Sequence, residues 1–144
     1  MNQNRFLAGV AMAFFATQGS ALMLAPLLVV IAADFETSVA VAGQVATATF
    51  AAWAVSVVSV GPLSDSLGRR PVALAGLSLL SLSVLASAFA PNLGTLMALR
   101  VLTGLGGGMI PPNGMAAVVE VVPQARRAKV VGALIAFTTL SSVI

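Results

Sequence analysis

The stretch Gly61-Pro62-Leu63-Ser64-Asp65-Ser66-Leu67-Gly68-Arg69-Arg70-Pro71 decides the reading of this chain. It places an acid, two arginines and two glycines between two long apolar runs, in a sequence otherwise almost free of charge. A short charged hairpin between two membrane-length segments marks a polytopic membrane protein. Composition agrees: of 144 residues, 59% are hydrophobic and 8% charged, and the mean hydropathy is +1.06. Soluble domains carry about 25% charged residues, so a soluble fold this apolar could not cover its own surface, and the bilayer must be its solvent.

The formal net charge of +3 does not point to nucleic acid. The basic residues form no stripe with interleaved aromatics; they stand at the edges of apolar spans. The chain has no Cys, His or Tyr, which removes disulfides, thiol chemistry, Cys/His metal sites and histidine proton shuttles. The carboxylates are Asp34, Glu36, Asp65 and Glu120, too few and too scattered for an oxygen-rich metal site. The expectation is a protein that is not an enzyme, with no cofactor and no metal, whose partners are the lipid bilayer and a small-molecule substrate.

A helix needs about 20 residues to cross the hydrocarbon core. Five segments meet or approach that length: Phe6–Ala33, Val39–Leu63, Pro71–Ala90, Thr95–Val122 and Ala128–Ile144. In lipid the backbone must bond to itself, and no segment alternates as a barrel strand does, so these are expected helices. Arg5 and the small residues Gly19-Ser20-Ala21 imitate a signal peptide, but the apolar run continues to Ala33, too long for the core of one. The expected links are Asp34 to Ser38, the charged hairpin beginning where Gly61-Pro62 ends the second span, Pro91 to Gly94, and Glu120 to Arg127. The whole chain, residues 1–144, reads as one transmembrane bundle with no soluble domain.

Arg5, Arg69, Arg70, Arg126, Arg127 and Lys129 fall on one side of that topology, and Asp34 and Glu36 on the other. The positive-inside rule puts the N-terminus and the hairpin in the cytoplasm. The fifth span stops without a polar flank, which suggests a chain cut short.

Arg100 stands inside an apolar span, about five residues into the fourth helix. Insertion scales put the cost of a buried cation at about 2.5–3.5 kcal/mol, so such residues tend to be paired and functional; the alternative is an arginine that snorkels to the interface. Gly104 and Gly108 follow at four-residue steps and share its helix face, either for ordinary helix packing or for close approach of a ligand. Gly106, Gly107, Pro111, Pro112 and Gly114 should weaken and kink this helix, as Gly19 and Pro26 should interrupt the first. Gly/Pro-interrupted helices in corresponding positions of two repeats point to a transporter binding site, so helices one to three and four onward are a candidate inverted repeat. Gln18, near the middle of the first span, either bonds a neighbouring helix or contacts substrate. Phe14, Phe15, Phe50 and Trp53 line a cavity or serve packing and lipid contact.

Within the hairpin, Gly68 permits a positive φ and Pro71 suits the first turn of the next helix. Asp65 and Arg69 are four apart, so they can pair locally or each reach a neighbouring helix; Glu120 lies within reach of Arg69. The bland alternative is a solvated loop with positive-inside arginines.

This hairpin resembles the signature loop between helices two and three of the major facilitator superfamily, Gly-x-Leu-(Ser/Ala)-Asp-(Arg/Lys)-x-Gly-Arg-(Arg/Lys). Gly61, Leu63, Ser64, Asp65, Gly68, Arg69 and Arg70 match; Ser66 departs, standing where the family usually has a basic residue. Arg100-x-x-x-Gly104-x-x-x-Gly108 is similar to the family's fourth-helix motif associated with proton coupling in antiporters. Glu120, Pro123 and Arg126-Arg127-Ala128-Lys129 resemble its loop between helices four and five. The resemblance implies an all-α, truncated N-terminal bundle of about five helices, under half of a twelve-helix protein in a bacterial-type inner membrane. It implies a secondary transporter that moves a small molecule by alternating access, closest to proton antiporters that export drugs or metabolites, with the proton gradient as energy source. Asp65 would meet a helix start in the missing C-terminal bundle, where the dipole favours an acid. Arg69 and Glu120 would complete a gating relay, and Arg100 would couple protons. The rival reading is a non-transporting fragment or half-size partner. A small dimeric multidrug transporter would need a carboxylate midway along the first span, and Asp34 lies at its end.

Overall fold

The computed structural model describes residues 3–140. It forms α1 (Gln3–Leu22), α2 (Leu24–Asp34), α3 (Val39–Leu67), α4 (Arg69–Ser87), α5 (Leu93–Val121) and α6 (Gln124–Leu140). Three of them, α3, α4 and α5, are long and apolar enough to cross a membrane. α1 and α2 reach membrane length only together, bent by 43° at the break between them. The bend has a covalent cause. Pro26 has no N–H and its ring crowds the carbonyl four residues back, so the helix stops at Leu22 and restarts at Leu24 with Pro26 in the new first turn. The fifth expected span corresponds to α6, with 17 described residues and Arg126, Arg127 and Lys129 at its start; its last residues, 141–144, lie outside the described residues.

Two expected boundaries are corrected. Gly61-Pro62 does not end the second span: α3 runs on to Leu67 with Pro62 inside it. Pro62 removes only the bond to the carbonyl of Val58, on an exposed face, while buried Ser56 and Ser64 hold α3 on either side. The hairpin therefore shrinks to Gly68 alone, which takes φ 89° between α3 and α4. α5 is one continuous helix over the expected fourth span, with Pro111 and Pro112 inside it. Finally, the link expected over Glu120 to Arg127 is mostly helix, with Val122 and Pro123 joining α5 to α6.

The other turns follow from local chemistry. Ser38 accepts from the Val41 amide at 3.2 Å and caps α3. Asn92 Oδ1 accepts from the Thr95 amide at 2.8 Å and from its hydroxyl at 3.0 Å, capping α5. Glu36 takes φ 49° in the turn between α2 and α3.

α5 lies between α3 and α4, and glycines let it approach both. A Cβ at Gly104 would collide with the Thr49 carbonyl, and one at Gly108 would lie 2.7 Å from the Trp53 carbonyl oxygen and 2.6 Å from Ser56 Cβ. Two residues further round the helix, about 200° away, Gly106 faces α4, where a Cβ would lie 2.7 Å from both the Gly76 carbonyl oxygen and the Leu80 amide. Small residues of this kind let helix backbones touch in lipid, where dispersion rather than water drives association. Hydroxyls and an amide then tie the seams. Ser56 donates to the Leu105 carbonyl at 2.7 Å, Ser83 and Thr103 share a hydrogen bond of 2.9 Å, and Ser64 donates to Asn113 Oδ1 at 2.7 Å. The contacts order the chain. Thr49, Ser56 and Ser64 meet Gly104, Leu105 and Asn113 in ascending order, so α3 and α5 run parallel. Gly76 and Ser83 meet Gly106 and Thr103 in descending order, so α4 and α5 are antiparallel.

Apolar clusters close both ends of the bundle. Leu24, Val45 and Leu96 are buried where Asp34 and Glu36 lie, and Val118, Val122 and Leu134 are buried where α5 meets α6. The glycine seam predicts that Gly108→Leu lowers stability by about 1–3 kcal/mol through overpacking. Gly132→Leu, on an open face of α6, should stay within about 0.5 kcal/mol; thermal unfolding in nanodiscs compares the two. A double-mutant cycle of Ser64→Ala and Asn113→Ala should return a coupling of about 0.5–1 kcal/mol.

Candidate functional site

Candidate residues gather at three levels of the bundle. At the hairpin end, Gly68 turns the chain so that Arg69 opens α4 beside the last turns of α5. There Arg69 Nη1 donates to Glu120 Oε1 in a salt bridge with side chains 42% and 62% exposed. Of the two pairings open to Arg69, the structure selects Glu120. Asp65 and Arg69 face each other at four-residue spacing only within a continuous helix, and Gly68 breaks the helix between them. Asp65 stays exposed in the last turn of α3 and makes no ion pair among the described residues. Its charge sits at the negative end of the α3 dipole, an unfavourable position that a helix start from elsewhere would relieve. Arg70 is exposed beside it. Arg127 Nε donates to the Val122 carbonyl at 3.0 Å, placing a cation on the C-terminal end of α5.

At the opposite end, Arg100 is half-buried. It lines a cleft of about 620 Å³ with Asp34, Ser87 and apolar side chains that include Leu27, Ile31 and Val84. Its Nε is buried without a hydrogen-bond partner. A buried donor left unpaired costs about 1–3 kcal/mol, so an acceptor at Nε would stabilise this arrangement. Gly104 and Gly108 share its helix but lie against α3, where they serve backbone approach.

Between these ends lies a cavity of about 170 Å³ among α1, α3, α4 and α5. Gln18, Thr17, Thr49, Phe50 and Trp53 line it, and Gly104 and Gly107 form part of its wall. Gln18 is exposed and makes no hydrogen bond to a neighbouring helix among the described residues, which leaves its amide available to a ligand. Of the aromatics, Phe14 is core, packed on Leu80 and Ile110, while Phe50 and Trp53 border the cavity.

Sequence reasoning passed over Asn113. It is buried, accepts from Ser64, and donates through Nδ2 to the Met109 carbonyl at 2.8 Å. The signal was available: an amide inside an apolar span needs a partner. It stood behind two prolines read as weakening and kinking the helix. Thr17, Thr49 and Thr103 carried no such signal, since threonines bond their own helix in any transmembrane span.

Comparison with known proteins matches this arrangement to one family. The family model described as Major Facilitator Superfamily matches residues 7–144. Among curated relatives, the uridine/deoxyuridine transporter of Lactococcus lactis is 33% identical over 128 residues, covering 89% of this chain and 27% of that protein. The 4-hydroxybenzoate transporter PcaK of Pseudomonas aeruginosa is 39% identical over 82 residues, 57% of this chain and 18% of the relative. The gallate transporter of Pseudomonas putida is 38% identical over 94 residues, 65% of this chain and 21% of the relative. The chain thus spans about a quarter or less of the length of these relatives. With apolar helices of membrane length and a family match over nearly all its residues, the chain is part of an integral membrane protein and belongs to the Major Facilitator Superfamily.

Proposed function

We propose that this chain is the N-terminal part of a secondary transporter that moves a small molecule across the inner membrane by alternating access. The observation that carries the reading is the Arg69–Glu120 pair next to the unpaired Asp65. The pair ties the start of α4 to the end of α5, while Asp65 is left without a partner at the same level. A second bundle presenting a helix N-terminus to Asp65 completes a latch that forms in one transport state and opens in the other. The N-terminus and the hairpin lie on the cytoplasmic side, because the cations of the hairpin and of α6 share one end of the bundle while Asp34 and Glu36 share the other.

Arg100 is the coupling residue. Its unpartnered Nε needs an acceptor, and a carboxylate from the second bundle, ionised in one state and protonated in the other, supplies one that changes with proton movement. The likeness of the fourth-helix motif to that of antiporters supports exchange for protons and export as the direction. The relatives, named for a nucleoside and for aromatic acids, support a small organic molecule as cargo.

Two measurements on the full-length protein test this. Arg100→Ala should lower proton-coupled flux in everted vesicles by at least about 100-fold while the protein remains in the membrane, and unchanged flux would sink the coupling role. The gate can be followed by thiol labelling, since these 144 residues hold no cysteine, once any cysteine elsewhere in the full-length protein is replaced by serine. A cysteine at Ser66 should label faster when Glu120→Arg breaks the pair and return to its original rate when Arg69→Glu is added. Equal labelling in all three proteins would remove the pair from the gate.

A further inference from the structure

The cavity among α1, α3, α4 and α5 has a chemical bias that follows from where its hydroxyl protons go. Thr17 Oγ1 donates to the Ala13 carbonyl at 2.7 Å, Thr49 Oγ1 to Val45 at 2.8 Å, and Ser20 Oγ to Thr17 at 2.9 Å. A hydroxyl has one proton and two lone pairs. Thr103, the fourth hydroxyl of the lining, donates to the Leu99 carbonyl at 2.9 Å and shares a 2.9 Å bond with Ser83. Thr17, Thr49 and Ser20 therefore spend their protons on their own helix and turn only acceptors to a visitor. One backbone carbonyl of the lining also lacks its usual helical donor. Gly107 lines the cavity, and Pro111, four residues on, has no N–H to bond the Gly107 carbonyl. Against these stand two donor groups, the Gln18 amide and the Trp53 indole N–H, neither hydrogen-bonded among the described residues. No charged side chain lines the space.

We propose that this cavity recognises a neutral planar ring carrying hydroxyl or N–H donors; as a statement about cargo, this rests on the transporter reading above. Trp53 and Phe50 supply flat apolar faces for the ring. The acceptors take its donors. A carboxylate or phosphate, itself only an acceptor, finds too few donors, and a cation finds no counter-charge in an apolar span. The volume of about 170 Å³ holds a single ring rather than a drug-sized molecule.

The chain carries its own reporter: Trp53 is the one tryptophan, and there is no tyrosine. The experiment is fluorescence titration of the full-length protein in nanodiscs, with any tryptophan outside these residues replaced by phenylalanine, excited at the red edge of indole absorption, with catechol and with its dimethyl ether. The two probes share ring and oxygens, and only catechol has donors. Catechol should change Trp53 emission saturably, and the ether should bind at least about tenfold more weakly, as expected for the loss of two hydrogen bonds. Thr17→Val and Thr49→Val should each weaken catechol about fivefold without altering the helical circular dichroism or the response to the ether. Equal binding of the two probes, no saturable response to catechol, or full affinity in both valine variants would overturn the proposal. Because no gradient is involved, the outcome is separable from transport. A protein that binds catechol but moves nothing keeps this site and loses the transporter reading, and one that transports without binding catechol does the reverse.

Discussion

The backbone contact of α5 with α3 and α4 sets the positions of the other functional groups. In a bilayer, helices gain nothing by leaving water, so they associate through close packing and a few hydrogen bonds. Gly104 and Gly108 open one side of α5 and Gly106, with Gly76 opposite it, opens the other. At that separation short side chains suffice to cross the gap: Ser56 reaches the Leu105 carbonyl, Ser83 reaches Thr103, and Ser64 reaches Asn113. A methyl group at any of the three α5 glycines would push a neighbour away and lengthen those bonds together.

The seam also sets where the charges go. Asn113 and Glu120 are seven residues apart on α5, two turns, and so lie on one face. The first is bonded to the end of α3, the second to the start of α4, and Gly68 turns between those two points. The inner tie is buried, and the outer one is an exposed ion pair of a kind worth about 0–1 kcal/mol. Such a pair contributes little to holding the fold and is cheap to open. The buried tie holds α3 on α5.

Much of this was legible in the residues. Charge scarcity and apolar run length indicated membrane helices, and Gly68, Pro71 and the Arg69–Glu120 reach were read from the hairpin. The main error was at Pro62, treated as a helix end because it removes a hydrogen bond from its own helix; Pro111 and Pro112, expected to weaken theirs, also lie inside a continuous helix. In the bundle, neighbouring helices support the backbone on both sides of that loss, and the helices continue. At Pro26 the helix does break, with the proline in the first turn of α2.

The sequence by itself determined the solvent, the alternation of spans, the one-sided placement of cations and the turn at Gly68, because these depend on hydropathy, run length and the conformations open to single residues. Only the tertiary structure decided which face each group occupies. It sent Arg69 to Glu120 and left Asp65 free, put Gly104 and Gly108 against α3 while Arg100 lines a cleft with Asp34, and gathered threonines from three helices around Trp53. Those outcomes depend on how closely backbones approach across the glycine seam, a distance between helices that no single helix encodes.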